Sequence, residues 1–272
     1  MSGRSSDDGQ VVVIKLGGSA GIESQGFLRH LARFKSPYVL VHGANVELDT
    51  LTRRLGLEPR LIQSSTGQVS RYTDRETMDL FLMVYCGKVN KRTVETLQSW
   101  GVNAVGLSAM DGRIATGRRK ERIRVVEGGK QRMLEGDFAG SIQHIDTALI
   151  RLLITNGYTP VLSPPALSDA GEAINVDGDK LAMRLAVALG AKQLLVFSNT
   201  PGLLRDVGDD TSLVPQIDLD EIEGAVQMAQ GRMKKKVLAA ADAVRLGVGE
   251  VILAGANQPD AIEAALAGGG TH

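Results

Sequence analysis

Apolar residues along the chain follow two rhythms. Short apolar runs bounded by turn residues recur at 11–16, 38–42, 102–107, 159–163, 192–198 and 250–254, and such runs read as buried strands. Between most of them lie stretches in which apolar residues return every three or four positions: "FLRHLARF", "ETMDLFLMVYCGKVNKRTVETLQSW", "IDTALIRLLI", "KLAMRLAVAL" and "KKKVLAAADAVRLG". That spacing is helical. Strands alternating with helices predict an α/β fold, a three-layer αβα sandwich with a central, mainly parallel sheet. Two segments break the rhythm. Residues 57–73 and 112–139 alternate apolar and polar positions around glycine-containing turns such as "VVEGGKQRML", which predicts β-hairpins over the sheet edge. Residues 205–216, "RDVGDDTSLVPQ", read as a polar, mobile loop.

This pattern predicts a single domain over 11–267, with a flexible leader at 1–10 and a flexible tail at 268–272. The chain of 272 residues is 43% hydrophobic and 23% charged, ordinary for a soluble globular protein. Thirty-one basic residues balance thirty-one acidic ones. No global field therefore draws nucleic acid or a membrane surface. Cys86 is the single cysteine, which excludes an internal disulfide and a multi-thiolate metal site. The leader "MSGRSSDDGQ" has no apolar region and no run approaches a bilayer span, so the expected compartment is the cytoplasm.

In a parallel sheet, ligands collect at the carboxyl ends of the strands, and four strand ends here carry Gly, Asn or Asp. The first is "VVVIKLGG", where a buried strand ends on Lys15, Gly17 and Gly18. It matches neither the P-loop nor the dinucleotide fingerprint. Its glycines would let backbone N–H groups converge on phosphate oxygens while Lys15 neutralises charge, although a surface lysine before a tight turn reads equally well. "VLVHGAN" sets Gly43 and Ala44 ahead of a helix, an arrangement favourable to anions, with His42 orienting the turn rather than transferring protons. "INVDGDK" puts Asn175, Asp177 and Asp179 at alternate positions before a helix. Asp179 either caps that helix or holds catalytic lysines. Two acids alone make a weak metal site. The last is "SNTPG", with Ser198, Asn199 and Gly202.

Three further stretches carry charge. "GRMKKKV" opens a helix with three lysines ending at Lys236, against the helix dipole, which a bound polyanion would explain. "SRYTDRE" offers Arg71 as a carboxylate clamp or as one half of an ion pair, with Thr73 or Asp74 as the helix cap. "GRRKERIRVVEGGKQRM" concentrates Arg118, Arg119, Lys120 and Arg122 with further cations on a hairpin. It is either a solvated surface or a docking patch. With few aromatics interleaved, an acidic protein suits it better than nucleic acid.

Taken in order, "KLGG", "HGAN", "SRYTD", "NVDGD", "SNTPGLL" and "GRMKKKV" resemble the landmarks of the amino-acid kinase family, from residue 11 to about 240. Within it the chain is most similar to LysW-dependent kinases, which phosphorylate the side-chain carboxylate of 2-aminoadipate or glutamate held on a small acidic carrier protein. "VYCGKVNKR" and "AQGRMKKKV" support that subgroup. The resemblance implies the carbamate kinase-like fold with β-hairpins over the substrate site, a substrate lobe at about 11–175 and a nucleotide lobe at about 176–267. It implies that Lys15 and Lys236 flank the transferring phosphoryl group while Asp179 holds them. Gly17, Gly18, Gly43 and Ala44 would line the phosphate path, with Gly43 and Ala44 also facing substrate. Arg71 and Asn175 would bind the substrate. Ser198, Asn199, Gly202 and Lys236 would border ATP. Arg118, Arg119, Lys120 and Arg122 would meet the carrier. Mg²⁺ would be held mainly by ATP rather than by protein ligands. Ala44 and Asn45 replace glycines of the family's "HGGG", Asp177 replaces an Asn, and Arg232 replaces a glycine. The leader lacks the extended helix of hexameric relatives, so a homodimer is expected. Two other readings stay open: a kinase of free acetylglutamate, and a catalytically silent nucleotide-binding regulator.

Overall fold

A computed structural model describes residues 11–64, 67, 69–128 and 130–272, so the leader expected at 1–10 lies outside the described residues. All six apolar runs become strands of one sheet: β1 (Val12–Leu16), β2 (Tyr38–His42), β3 (Ala104–Ser108), β4 (Thr159–Ser163), β5 (Gln193–Ser198) and β6 (Glu250–Gly255). They lie in the order β6-β5-β1-β2-β4-β3, and every neighbouring pair is parallel. A parallel sheet needs both faces covered, which is why these strands are continuously apolar.

The helices supply the cover: α1 (Ser24–Leu31), α2 (Asn45–Arg54), α3 (Arg75–Leu82), α4 (Asn90–Ser99), α5 (Ala148–Thr155), α6 (Gly178–Leu189), α7 (Ile222–Met228), α8 (Gly231–Arg245) and α9 (Ala261–Leu266). Strand alternation sorts the core into two layers. Val11, Val13, Val41 and Val196 pack with Ile150 of α5, Leu181 and Leu185 of α6 and Val237 of α8. Val12, Ile14, Leu16 and Phe197 pack on the other face with Phe27 and Leu31 of α1, Leu97 of α4 and Ile262 of α9. Each side chain buried this way contributes roughly 1.5–3 kcal/mol. The long helical stretch runs through α3, a π-helical segment at Met83–Val89 and α4, with the junction residues Leu82, Met83, Val89 and Asn90 all helical. Its extra residue turns Asn90 inward, where the side-chain amide donates to Val161 O at 2.9 Å.

The hairpins form at Leu61–Gln63 with Val69–Arg71 and at Arg122–Glu127 with Lys130–Glu135. A bridge between Ser64 and Val125 joins them over a small core of Ile62, Tyr72 and Val125. Only part of segment 112–139 is hairpin. Ala115–Arg119 instead pairs with Gly140–Ile145 and Ala166–Ser168 in a second, four-stranded sheet. Close approach selects this pairing, since a Cβ on Gly117 would lie 2.0 Å from Ser141 O.

The polar loop expected at 205–216 folds back on itself. Leu204 and Leu213 form a bridge, and Ser212 Oγ donates to Asp206 O and Asp209 O. The expectation of a frayed tail is corrected. Thr271 is buried and exchanges two 2.8 Å backbone hydrogen bonds with Leu253, covering the outer edge of β6. An open edge on a buried sheet presents unpaired backbone groups, and the tail satisfies those of Leu253.

Candidate active site

From β1 the chain passes to β2 on one side, whereas β5 flanks β1 on the other. The connections diverge there and open a crevice at the carboxyl end of β1. Two turns interlock in it. Gly17 N–H donates to Phe197 O at 3.0 Å, Gly43 N–H to Leu16 O at 2.9 Å and Val46 N–H to Gly18 O at 3.1 Å. A Cβ on Gly18 would lie 2.2 Å from Ala44 N, and one on Gly43 would lie 2.6 Å from Gly18 N. Glycine is the only residue that fits at either position.

Lys15 stands one residue before the end of β1, and the two-residue period puts it on the face that packs against α6. The residue is 8% exposed and its Nζ lies 2.5 Å from Asp179 Oδ1. Asp177, not Asp179, caps α6, accepting from the N–H groups of Asp179 at 2.9 Å and Lys180 at 3.0 Å. That division of labour leaves the Asp179 carboxylate to Lys15, within the first turn of a helix whose dipole favours an anion. Burying an ammonium group costs free energy that the Asp179 carboxylate offsets. Lys236 is half-buried on the second turn of α8, which packs against α6. Like α6, α8 leads by a short connection into a parallel strand, so both helices begin at the carboxyl edge of the sheet.

Arg71 ends the first hairpin and ion-pairs through Nη2 with Asp49 of α2. Its Nη1 is buried and has no hydrogen-bond partner among the described residues. A buried guanidinium with one face paired and the other bare can accept a further carboxylate. Asn175 Nδ2 donates to Thr73 Oγ1 at 3.0 Å, while its backbone N–H donates to Phe138 O and its carbonyl accepts from Gly140 N–H. Asp74 is the cap of α3, accepting from Thr77 N–H at 2.8 Å.

Several neighbours escaped the sequence reading. Tyr85, on the π-helical segment, donates through Oη to Asn45 Oδ1 at 2.8 Å and stacks on Phe81 at 3.9 Å. Burial pushes its phenol pKa up, and the charges of Arg71, Asp49 and Asp177 reach it. In sequence it is one aromatic on an apolar helical face. His42 is lowered to a pKa of about 4, mainly by burial; its hydrogen bond to Gly43 opposes the shift and the Lys15 charge adds to it. Asn90 Nδ2 donates to His42 Nε2 at 3.1 Å, which leaves the ring proton on Nδ1, 3.4 Å from Gly43 O. Neutral at pH 7, His42 thus braces the second turn.

On the far side of β1, Ser198 is buried with its Oγ 3.1 Å from Thr200 Oγ1, and Asn199 is exposed. Gly202 lies against the tail, where a Cβ would come 2.5 Å from Thr271 Oγ1. The cationic segment divides between the second sheet and the hairpin. Arg118 and Lys120 are exposed and Arg122 pairs in solvent with Glu135 at 2.9 Å. Arg119 is committed to the fold: its guanidinium lies 3.6 Å from the Phe138 ring centroid and donates to Asp137 O and to the Glu172 carboxylate. With Asp169 and Glu172, these arginines border a surface recess of about 680 Å³. Among the described residues no three His, Cys, Asp or Glu side chains converge on a metal site, and no helix is long and apolar enough to cross a membrane.

The family model described as "Amino acid kinase family" matches residues 10–255. A [LysW]-aminoadipate kinase of Deinococcus radiodurans is 50% identical over 264 residues, covering 96% of this chain and 90% of that protein. Its counterpart of the same name in Thermus thermophilus is 46% identical over 266 residues, covering 96% and 99%. Among solved structures, N-acetylglutamate synthase of Neisseria gonorrhoeae superposes with a TM-score of 0.76 at 24% identity, covering 97% of this chain and 59% of that one. The last likeness concerns the fold alone.

Proposed function

The chain belongs to the amino acid kinase family, and from that premise we propose that it phosphorylates, with ATP, the side-chain carboxylate of 2-aminoadipate held on a LysW-type acidic carrier protein. The product is an acyl phosphate, an intermediate of lysine biosynthesis. The carrying observation is the Lys15–Asp179 pair beside two interlocked glycine turns, in a chain half identical to a kinase of that name.

The chemistry asks little of the protein beyond placement. A side-chain carboxyl with a pKa of about 4.3 is already an anion at neutral pH, so no base is needed. Its oxygen attacks the γ-phosphorus, the bond to the β-phosphate oxygen breaks, and ADP leaves with the electron pair. Charge spreads over the phosphoryl oxygens on the way. Lys15 and Lys236 would flank that charge, with Asp179 fixing Lys15. The N–H groups around Gly17, Gly18, Gly43 and Ala44 would cradle the oxygens. Arg71, through its bare Nη1, and Asn175 would hold the substrate's own polar groups. Mg²⁺ bound to ATP would neutralise the phosphates. Asp177 and Asp179 are both engaged, and among the described residues no three His, Cys, Asp or Glu side chains converge on a site that could hold it.

We assign 11–175 to the substrate lobe, and 176–267 to the nucleotide lobe with Ser198, Asn199 and Gly202 on ATP. Arg118, Lys120 and Arg122 would attract the carrier, whereas Arg119 acts through the fold. We also assign a cytoplasmic homodimer. The deciding assay supplies ATP and Mg²⁺ with carrier-linked aminoadipate, carrier-linked glutamate or free acetylglutamate. Turnover should be fastest with the first. The two linked acids differ by one methylene, worth roughly 1–3 kcal/mol in a fitted pocket. Faster turnover of free acetylglutamate would overturn the carrier reading, and no turnover of any acceptor would leave only a silent nucleotide binder.

A further inference from the structure

The buried tail residue Thr271 does more than cover an edge. Its Oγ1 accepts from Leu203 N–H at 2.9 Å and donates to Val214 O at 2.7 Å, and Val214 N–H returns to Leu203 O at 2.8 Å. One hydroxyl thus ties the two ends of loop 204–213 together and to β6, to which Thr271 is bonded by both of its backbone polar groups. All four participants are buried: Thr271 at 2%, Leu203 at 1%, Val214 at 7% and Leu253 at 4%. The loop leaves directly from Ser198–Gly202, and Gly202 has no Cβ because Thr271 fills that space.

We propose that Thr271 is a positioning residue for the nucleotide: its hydroxyl sets the neck of loop 204–213 and so the geometry of the Ser198–Gly202 strand end. This rests on the reading that Ser198–Gly202 borders ATP. A hydroxyl bonded as both donor and acceptor between two backbone groups cannot be replaced by a methyl without leaving both groups unpaired in a dry interior. Arg71 and Asn175, the residues proposed for the carrier-linked substrate, bond to Asp49 and Thr73, outside this network.

Steady-state kinetics on the full chain test this. Thr271→Val should raise KM for ATP about tenfold, while kcat at saturating ATP and KM for carrier-linked aminoadipate stay within about twofold, a split that general loosening of the fold does not produce. Thr271→Ser keeps the hydroxyl and should restore the ATP KM. An unchanged ATP KM, a parallel rise in both KM values, or failure of the serine variant to rescue overturns the proposal. Hydrogen exchange on the unmutated protein with and without the non-hydrolysable analogue AMP-PNP separates the layers and holds even if the valine variant does not fold. Nucleotide should slow exchange across 198–214, the Leu203 amide included. No slowing there removes the nucleotide-side reading and the clamp with it. Slowing across 198–202 with an unaffected Leu203 amide removes the clamp alone.

Discussion

The crevice at the end of β1 and the cationic hairpin at Arg122–Glu135 are built by opposite means. In the crevice, contacts leave no room: a single added methyl on Gly18 or Gly43 would strike backbone, and Lys15 reaches Asp179 at 2.5 Å inside the fold. On the hairpin, Arg122 and Glu135 are two-thirds exposed and their pairing adds little. Chemistry on a phosphoryl group depends on placement, so small displacements there are costly. Attraction of a charged protein depends on summed charge over a surface, so it survives loose geometry and is weakened by salt.

Four changes can break or sharpen that contrast. The largest effect is expected from Lys15→Met, which should reduce turnover on the order of 10³-fold or more while the fold survives with a lowered melting temperature, since the phosphoryl group loses a cation and the Asp179 carboxylate loses its partner. Unchanged turnover in a stopped-time ADP assay would remove Lys15 from the mechanism.

Next comes acid stability. The folded pKa of His42, about 4, lies below its ordinary 6.5, so its contribution is fully present above pH 6.5 and is lost as pH falls towards 4. Comparing urea midpoints at pH 7 and pH 4 for the unmutated protein and His42→Gln should show about 3 kcal/mol more acid loss in the former. Equal loss would mean that His42 is not held neutral.

Gly18→Ala comes third. Its Cβ would lie 2.2 Å from Ala44 N, and re-spacing the two turns should cost about 10²-fold in kcat/KM for ATP. Wild-type kinetics would show the turns to be compliant after all.

The mildest is reversal of charge on the strand end that leads into the hairpin. Arg118→Glu with Lys120→Glu should weaken carrier binding about tenfold and flatten its salt dependence, leaving ATP binding alone. Titration calorimetry at two ionic strengths reads this out; an unmoved affinity would make this cationic stretch a plain solvated face.

Legibility from sequence follows the same division. The six strands of the sheet were readable because a parallel strand buried on both faces must be apolar throughout, and these short runs are bounded by turn residues. The glycine turns were readable as turns. Which acid did what was not: the spacing offered Asp179 as the cap, whereas the structure gives the cap to Asp177 and leaves Asp179 to Lys15. Arg119 looked like its neighbours in a run of cations, yet Phe138 and Glu172, distant in sequence, draw it into the fold. Tyr85 and Asn90 sit on apolar helical stretches and gave no local sign of reaching Asn45, His42 and Val161.

The same reasoning marks the error at the tail. "GGGTH" has the composition of a frayed end, because glycines order at high entropic cost and offer nothing to pack. What ordered it was a vacancy elsewhere, the unpaired edge of β6. Local pattern in this chain determined the elements, their alternation and the residue types delivered to the strand ends, since those depend on periods of two and about 3.6 read along the chain. Tertiary structure alone decided partners, because partnership depends on which groups distant in sequence are brought within a hydrogen bond of each other and away from water: Lys15 with Asp179 and Thr73 with Asn175 across more than a hundred residues, and Arg71 with Asp49 of a neighbouring helix.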